Sequence, residues 1–351
     1  MKKFLITIVS LSLAICFAFS AIGCSGVSTL SFSNSFNGGS EPNSLTETLI
    51  YDVELVDNYN NKIQKAQSFP DEVVKYSYIN GKYTVKLTVA PFIDNSEIKT
   101  KSGIEFDANI YHLHTEFSID VSYEIKNKDK YENTDSIITD TYFYPAGQSF
   151  APMYSSTHSK QSFLSISSSE AVTASVSFNE SQTEIVYNQD KYTITTDNKS
   201  TEGKDSIKTV TYNYDLKSVI DNTQLLFALR NMNFTENVTS SLPTVAPAYG
   251  EAKKLSISLV DSVNQLAEIS YNGGEPSNEI PVKNVKFNIQ SNTNSGSYQY
   301  LSIQTGAVKN GQTDLIPNRS LIVKYATPHV AFGSFLSMGA FVYTLKTVTV
   351  E

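Results

Sequence analysis

Tryptophan is missing from the 351 residues, and cysteine and histidine are scarce, at two and four. Without indole faces the chain lacks the commonest platform for stacking on sugar rings, although its 21 tyrosines can substitute. Both cysteines, Cys16 and Cys24, fall near the N-terminus, so everything after Cys24 has neither a disulfide nor a thiolate metal site. Lys and Arg number 27 against 35 Asp and Glu, the formal charge is −8, and no basic cluster occurs. Nucleic acid is excluded as a partner on that ground, because polyanion binding depends on basic patches that release counterions. Also absent are a Gly-rich phosphate loop, an HExxH pair, an EF-hand loop and a Gly-x-Ser-x-Gly elbow. Past the first two dozen residues no apolar run approaches the roughly 20 residues of a membrane-spanning helix.

What is present begins at the N-terminus. Lys2 and Lys3 precede an apolar stretch from Phe4 to Ala21, and Ala21-Ile22-Gly23-Cys24 follows. This resembles the lipobox of a bacterial lipoprotein signal, with Ala21 where leucine is commoner. The resemblance implies cleavage before Cys24, lipid attachment to its thiol, and an exported protein of the bacterial cell envelope anchored to a membrane. Loss of Lys2 and Lys3 with the leader would take the formal charge from −8 to −10. Residues 24–48 are rich in Ser, Asn and Gly and read as a flexible tether, holding the folded part roughly 25 Å from its anchor.

From 49 to 351 the chain reads as a β-rich domain, or as two sub-domains divided near 145–160. Tyr83, Val85, Leu87 and Val89 alternate with Lys82, Thr84, Lys86 and Thr88, the period of a strand with one buried face. Tyr51-Val53-Leu55, Val172-Ala174-Val176-Phe178, Leu255-Ile257-Leu259 and Val285-Phe287-Ile289 repeat the pattern. Tyr111 to Ile125 is the longest such run, and that length calls for a bend or bulge. Asn80-Gly81 predicts a hairpin turn, since both residues tolerate positive φ, and Asn188-Gln189-Asp190 predicts a second. Asp221 or Asn222 can cap a short helix over 221–232 with Leu225, Leu226, Leu229 and Met232 on one face, and Pro243 and Pro247 mark a loop after it. The expected fold is all-β: a curved antiparallel sheet, as a lipocalin-like half-barrel or a sandwich, with one short helix.

The C-terminal part, from about Ser206, runs strand, helix ending Leu225-Leu226-Phe227-Ala228-Leu229-Arg230, strands with Ile280-Pro281-Val282 and Ile316-Pro317, Gly333, and a last strand Phe341 to Val350. It resembles the uncharacterised bacterial envelope family called domain of unknown function 3108. That resemblance implies a curved antiparallel sheet in an exported protein, and carries over no catalytic residue.

Chemistry-bearing candidates are few. His112, His114 and Glu116 share one side of a strand and could together bind zinc, yet they also belong to a polar face continuing through Ser118, Asp120, Ser122 and Glu124. A solvated face, and hence no metal, is the preferred reading. Gly147-Gln148-Ser149-Phe150-Ala151 with His158 reads as loop rather than as a hydrolase site, and Ser96-Glu97-Ile98-Lys99 as a chance match to Ser-x-x-Lys. Asp71-Glu72 and Asp52 with Glu54 read as exposed carboxylates rather than a glycosidase pair. Arg230 is structural, reaching into the sheet toward a carboxylate or complementing the helix C-terminal dipole, the second being preferred. No cofactor is expected. Three functions compete: a non-enzymatic anchored protein binding an apolar small molecule, an envelope lipid or an envelope protein; an anchored hydrolase of wall polymer or peptide; and a ligand-free adhesive or structural module. The first is favoured.

Overall fold

The structure, a computed structural model, describes residues 28–29, 45–56, 73–91, 96–104, 109–146, 149–167, 173–188, 191–200, 206–213, 219–230, 239–245, 252–265, 268–275, 280–290, 302–306, 309–310, 313–314, 321–331 and 336–351. The leader, Cys24, Ile316-Pro317, Gly333 and Asp71-Glu72 lie outside them.

A meander forms the first half of the sheet. Strands β2 (Leu45–Val56), β3 (Val73–Pro91), β4 (Asn109–Ile125), β5 (Tyr131–Ala146), β6 (Ser149–Ser167), β7 (Thr173–Tyr187), β8 (Lys191–Ser200) and β9 (Ser206–Asn213) each pair antiparallel with the next. The chain then crosses the inner face of this sheet through β10 (Ile220–Asp221), a 3-10 turn (Asn222–Gln224) and helix α2 (Leu225–Arg230), while α1 (Ser96–Ser102) lies on the outer face. The second half comprises β11 (Thr239–Val245), β12 (Lys253–Gln265), β13 (Ser270–Tyr271), β14 (Ile280–Gln290), β15 (Ser302–Gly306), β18 (Leu321–Ala331) and β19 (Leu336–Val350), with β16 (Lys309–Asn310) and β17 (Thr313–Asp314) paired apart. Strand β19 pairs antiparallel with β2, from Ala340 opposite Val56 to Val350 opposite Glu47, which joins both halves into one 17-stranded, curved, open sheet. The all-β expectation holds.

Period two decides which side is buried. Along β4, Tyr111, Leu113, Thr115, Phe117, Ile119, Val121, Tyr123 and Ile125 are buried on the inner face while the residues that alternate with them stay partly exposed. Removing a large side chain from water contributes roughly 1.5–3 kcal/mol, so this one face supplies much of the driving force. Stacking adds to it: Tyr111 lies parallel to Phe143 with centroids 5.3 Å apart, and Phe227 of α2 tilts against Phe143 at 5.1 Å.

Several expectations are corrected. Asn80-Gly81 does not turn the chain: β3 continues through it, and the pair opposes the single residue Ile119 as a bulge, with Asn80 at φ 56°. The reason lies in β4, whose uninterrupted backbone pairs with β3 on both sides of the bulge, so the chain continues as one strand. The extra residue resets the parity of β3, so that even-numbered Tyr78 and odd-numbered Tyr83 both face inward. Gly81 is required here, because a Cβ would overlap the Val53 carbonyl oxygen of β2. The bulge therefore sits beside β4 rather than in it, and β3 and β6, at 19 residues, exceed its 17.

Of residues 145–160, where the sequence allowed a division into sub-domains, 145–146 and 149–160 lie in the paired strands β5 and β6. Leu45–Thr48, expected in the tether, belong to β2, and β1 (Ser28–Thr29) pairs in parallel with Ser240 and Ser241. Pro243 lies in strand β11 rather than in a loop; on its far side β1 stops at Ser241 and β10 starts at Thr244, so its missing N–H interrupts no ladder there. The hairpin at 188–191 forms as expected, with Tyr187 opposite Tyr192 and Asn188 N donating to Lys191 O at 2.8 Å.

Candidate functional site

The short segment from β10 to α2 is built into the inner face at both ends. At its start Asp221, fully buried, accepts hydrogen bonds from Ser155 Oγ and Tyr187 OH at 2.6 Å each, and from Thr223 N at 2.8 Å and Thr223 Oγ at 2.6 Å. The Asp221 side chain thereby caps the 3-10 turn and pins it to β6 and β7. At the other end Arg230 forms a bidentate pair with Glu47 of β2, Nη1 to Oε1 at 2.7 Å and Nη2 to Oε2 at 3.0 Å. Burial opposes the guanidinium charge and the Glu47 carboxylate outweighs it, so the pKa of Arg230 is raised and the residue stays charged.

This corrects the expectation that Arg230 serves the helix dipole. The six-residue helix is enclosed by the sheet, burying Leu225, Phe227, Ala228, Leu229 and Arg230 rather than one stripe, and a buried cation needs a carboxylate. Position 232 lies outside the described residues. Glu47 was missed, although its signal is plain: it occupies a core position in the alternation Leu45, Glu47, Leu49, Tyr51, Val53.

Between the sheet and this cap lies a cleft of about 210 Å³. Its floor is aromatic, with Tyr325 and Tyr343 stacked at 4.1 Å and Tyr83 edge-on to Tyr343 at 5.5 Å. Burial pushes the Tyr83 phenol up to about 12, so the floor is uncharged at neutral pH. Thr115 and Thr139 contribute hydroxyls at one side, while Thr223 and Leu226 of the cap form the roof. The lining is mixed, with Phe117, Ile137, Leu226 and the tyrosine rings beside threonine hydroxyls and the buried Asn222 side-chain oxygen, which suits the polar-tipped end of a chain or a small ring, and the cleft is smaller than a drug-sized site.

The outer face of the same strands carries the second cluster. His112 and His114 project from β4 on one side, and register places Asp140 of β5 opposite His114. His112 Nε2 donates to Asp140 Oδ1 at 2.7 Å, His114 Nδ1 to the same oxygen at 2.8 Å, and His114 Nε2 to Glu116 Oε1 at 3.0 Å. The hydrogen bond from His112 holds the Asp140 carboxyl below its ordinary pKa, helped by His114 and opposed by burial. Burial disfavours charge on His114, but hydrogen bonds to Glu116 and Asp140 prevail and raise its pKa. The sequence grouped His112, His114 and Glu116; the structure adds Asp140, which only strand pairing could supply.

The remaining candidates disperse. Ser149 begins β6 rather than lying in a loop, and His158, on the same strand, pairs with Glu180 at 2.8 Å. Ser96 to Lys99 fall on α1, an unexpected second helix, where Lys101 bridges Glu97 and Glu184 and packs over Tyr154. Asp52 and Glu54 are exposed on β2. No helix among the described residues is long and apolar enough to cross a membrane. No family model, curated protein or solved structure matches the chain.

Proposed function

We propose that this chain is an exported, lipid-anchored binding protein of the bacterial cell envelope, non-enzymatic, whose inner sheet face holds an apolar or amphipathic small molecule such as the end of a lipid acyl chain. The observation that carries the reading is the tyrosine-floored cleft roofed by a cap clamped at both ends, by Asp221 and by the Arg230–Glu47 pair. A clamped roof keeps the cleft open without a ligand, which lowers the ordering cost of binding. The lipobox-like Ala21-Ile22-Gly23-Cys24 supplies the anchoring part of the proposal.

Titration of the detergent-solubilised full chain with a fluorescent polyene fatty acid tests the binding. Saturable fluorescence enhancement is expected, weakened at least about tenfold in Leu226→Trp, which fills the cleft, and unchanged in Lys86→Ala on the outer face. Absence of saturable binding, together with native mass spectra showing no co-purifying lipid, overturns it. Anchoring is tested separately by Cys24→Ala, which should abolish membrane fractionation.

A further inference from the structure

We propose that His112, His114 and Asp140 form a zinc-binding site on the outer face of the sheet, with Glu116 acting behind His114 rather than as a ligand. The donor atoms of the three residues all lie within 4.8 Å of one another. Two imidazoles and a carboxylate match zinc, which accepts nitrogen and oxygen donors at about 2.0–2.2 Å, whereas calcium and magnesium favour oxygen donors alone. Donors around one tetrahedral ion stand roughly 3.4 Å apart. The present separations of 2.7 and 2.8 Å from Asp140 Oδ1 are shorter, so a small rotation of the half-exposed Asp140 side chain makes room.

The surroundings already hold the rings in place. His112 stacks on Tyr142 with centroids 4.2 Å apart and planes 4° from parallel, which fixes its plane. Glu116 accepts from Nε2 of His114 at 3.0 Å, so the proton stays on that nitrogen and Nδ1 is the one that faces Asp140. A carboxylate on the far nitrogen of a metal-bound histidine is the usual way a protein fixes its tautomer and raises its donor strength. On loading, the Nδ1 proton of His114 leaves to solvent, and the His112 proton moves to Nδ1, freeing Nε2. Three protein ligands leave the fourth position to water. Both rings come from one strand and the carboxylate from its hydrogen-bonded neighbour, so the spacing is set by the sheet and not by a loop. Lys86, opposite His114 on β3, is exposed.

The site is separate from the inner cleft, and its test is independent of ligand binding there. The detergent-solubilised full chain, stripped with EDTA, is titrated with Zn²⁺ by calorimetry. Saturation at one ion per chain is expected, with affinity reduced at least about tenfold in His114→Ala and in Asp140→Ala, and about tenfold in Glu116→Gln. His158→Ala should leave it unchanged. Histidine side-chain ¹⁵N spectra of the unaltered chain provide a readout that needs no variant: the Nε2 resonance of His112 and the Nδ1 resonance of His114 should shift on zinc addition. No saturable binding, binding unaffected by both His114→Ala and Asp140→Ala, or equal loss in His158→Ala would each overturn the site.

Discussion

Strand β4 presents two chemistries from one backbone, and its inner and outer faces treat polar groups in opposite ways. On the inner side Glu47 and Arg230 pair through two hydrogen bonds, and the Asp221 carboxylate accepts four. On the outer side His112, His114 and Asp140 are half-exposed, and water can replace any of their contacts. These inner charges are therefore structural, because any exchange of partner leaves a buried charge uncompensated. Those outside are free to trade a proton or a hydrogen bond for a ligand.

The largest expected effect breaks the inner side of this contrast. Glu47→Ala leaves the Arg230 guanidinium buried and unpaired, and should destabilise the chain by about 3–5 kcal/mol in urea unfolding, whereas Glu47→Leu combined with Arg230→Met should recover most of the loss. Next comes the bulge that turns both arms of β3 inward. Gly81→Ala drives a methyl into the Val53 carbonyl and should cost about 1–3 kcal/mol by the same measurement. His114→Ala on the outer face should change stability by less than about 1 kcal/mol without metal, even as it removes zinc binding; a cost like that of Glu47→Ala would erase the distinction between the faces.

The smallest effect sharpens the contrast through pH. Asp135 is buried on the inner side, where desolvation raises its pKa against the hydrogen bonds it accepts from Ser162 and Asn133. An acid with a raised folded-state pKa binds its proton more tightly when folded. Its contribution to stability is therefore greatest below the ordinary carboxylate range and falls as pH rises through the raised value. Asp135→Asn has no proton to lose. The urea midpoint of Asp135→Asn should gain on that of the unaltered chain as pH rises above the ordinary carboxylate value of about 4. A constant difference over that rise would show Asp135 to be unshifted.

Much of the fold was legible from residue order, and the failures are instructive. Alternation in β4 gave the buried set from Tyr111 to Ile125 correctly, because side-chain direction in a strand is a local property with a period of two. Asn80-Gly81 misled because positive φ serves a bulge as readily as a hairpin, and the choice depends on whether one long partner spans both flanks. The helix at 225–230 was placed well but its faces were not, since amphipathic reasoning assumes a helix that meets solvent and this one is enclosed. For the outer cluster, His112, His114 and Glu116 could be grouped from spacing, whereas Asp140 could not.

By itself the sequence determined that the chain would build strands, which residues of an unbroken strand such as β4 would face inward, and where Asp221 could start a helix. All of these follow from steric and hydrogen-bonding preferences that act over a few residues. Only the tertiary structure decided that β19 pairs with β2, that Glu47 meets Arg230 across 183 positions, and that Asp140 completes the pair of histidines. Those pairings depend on strand order and register, which are settled by burying the whole inner face at once, and no local preference encodes them.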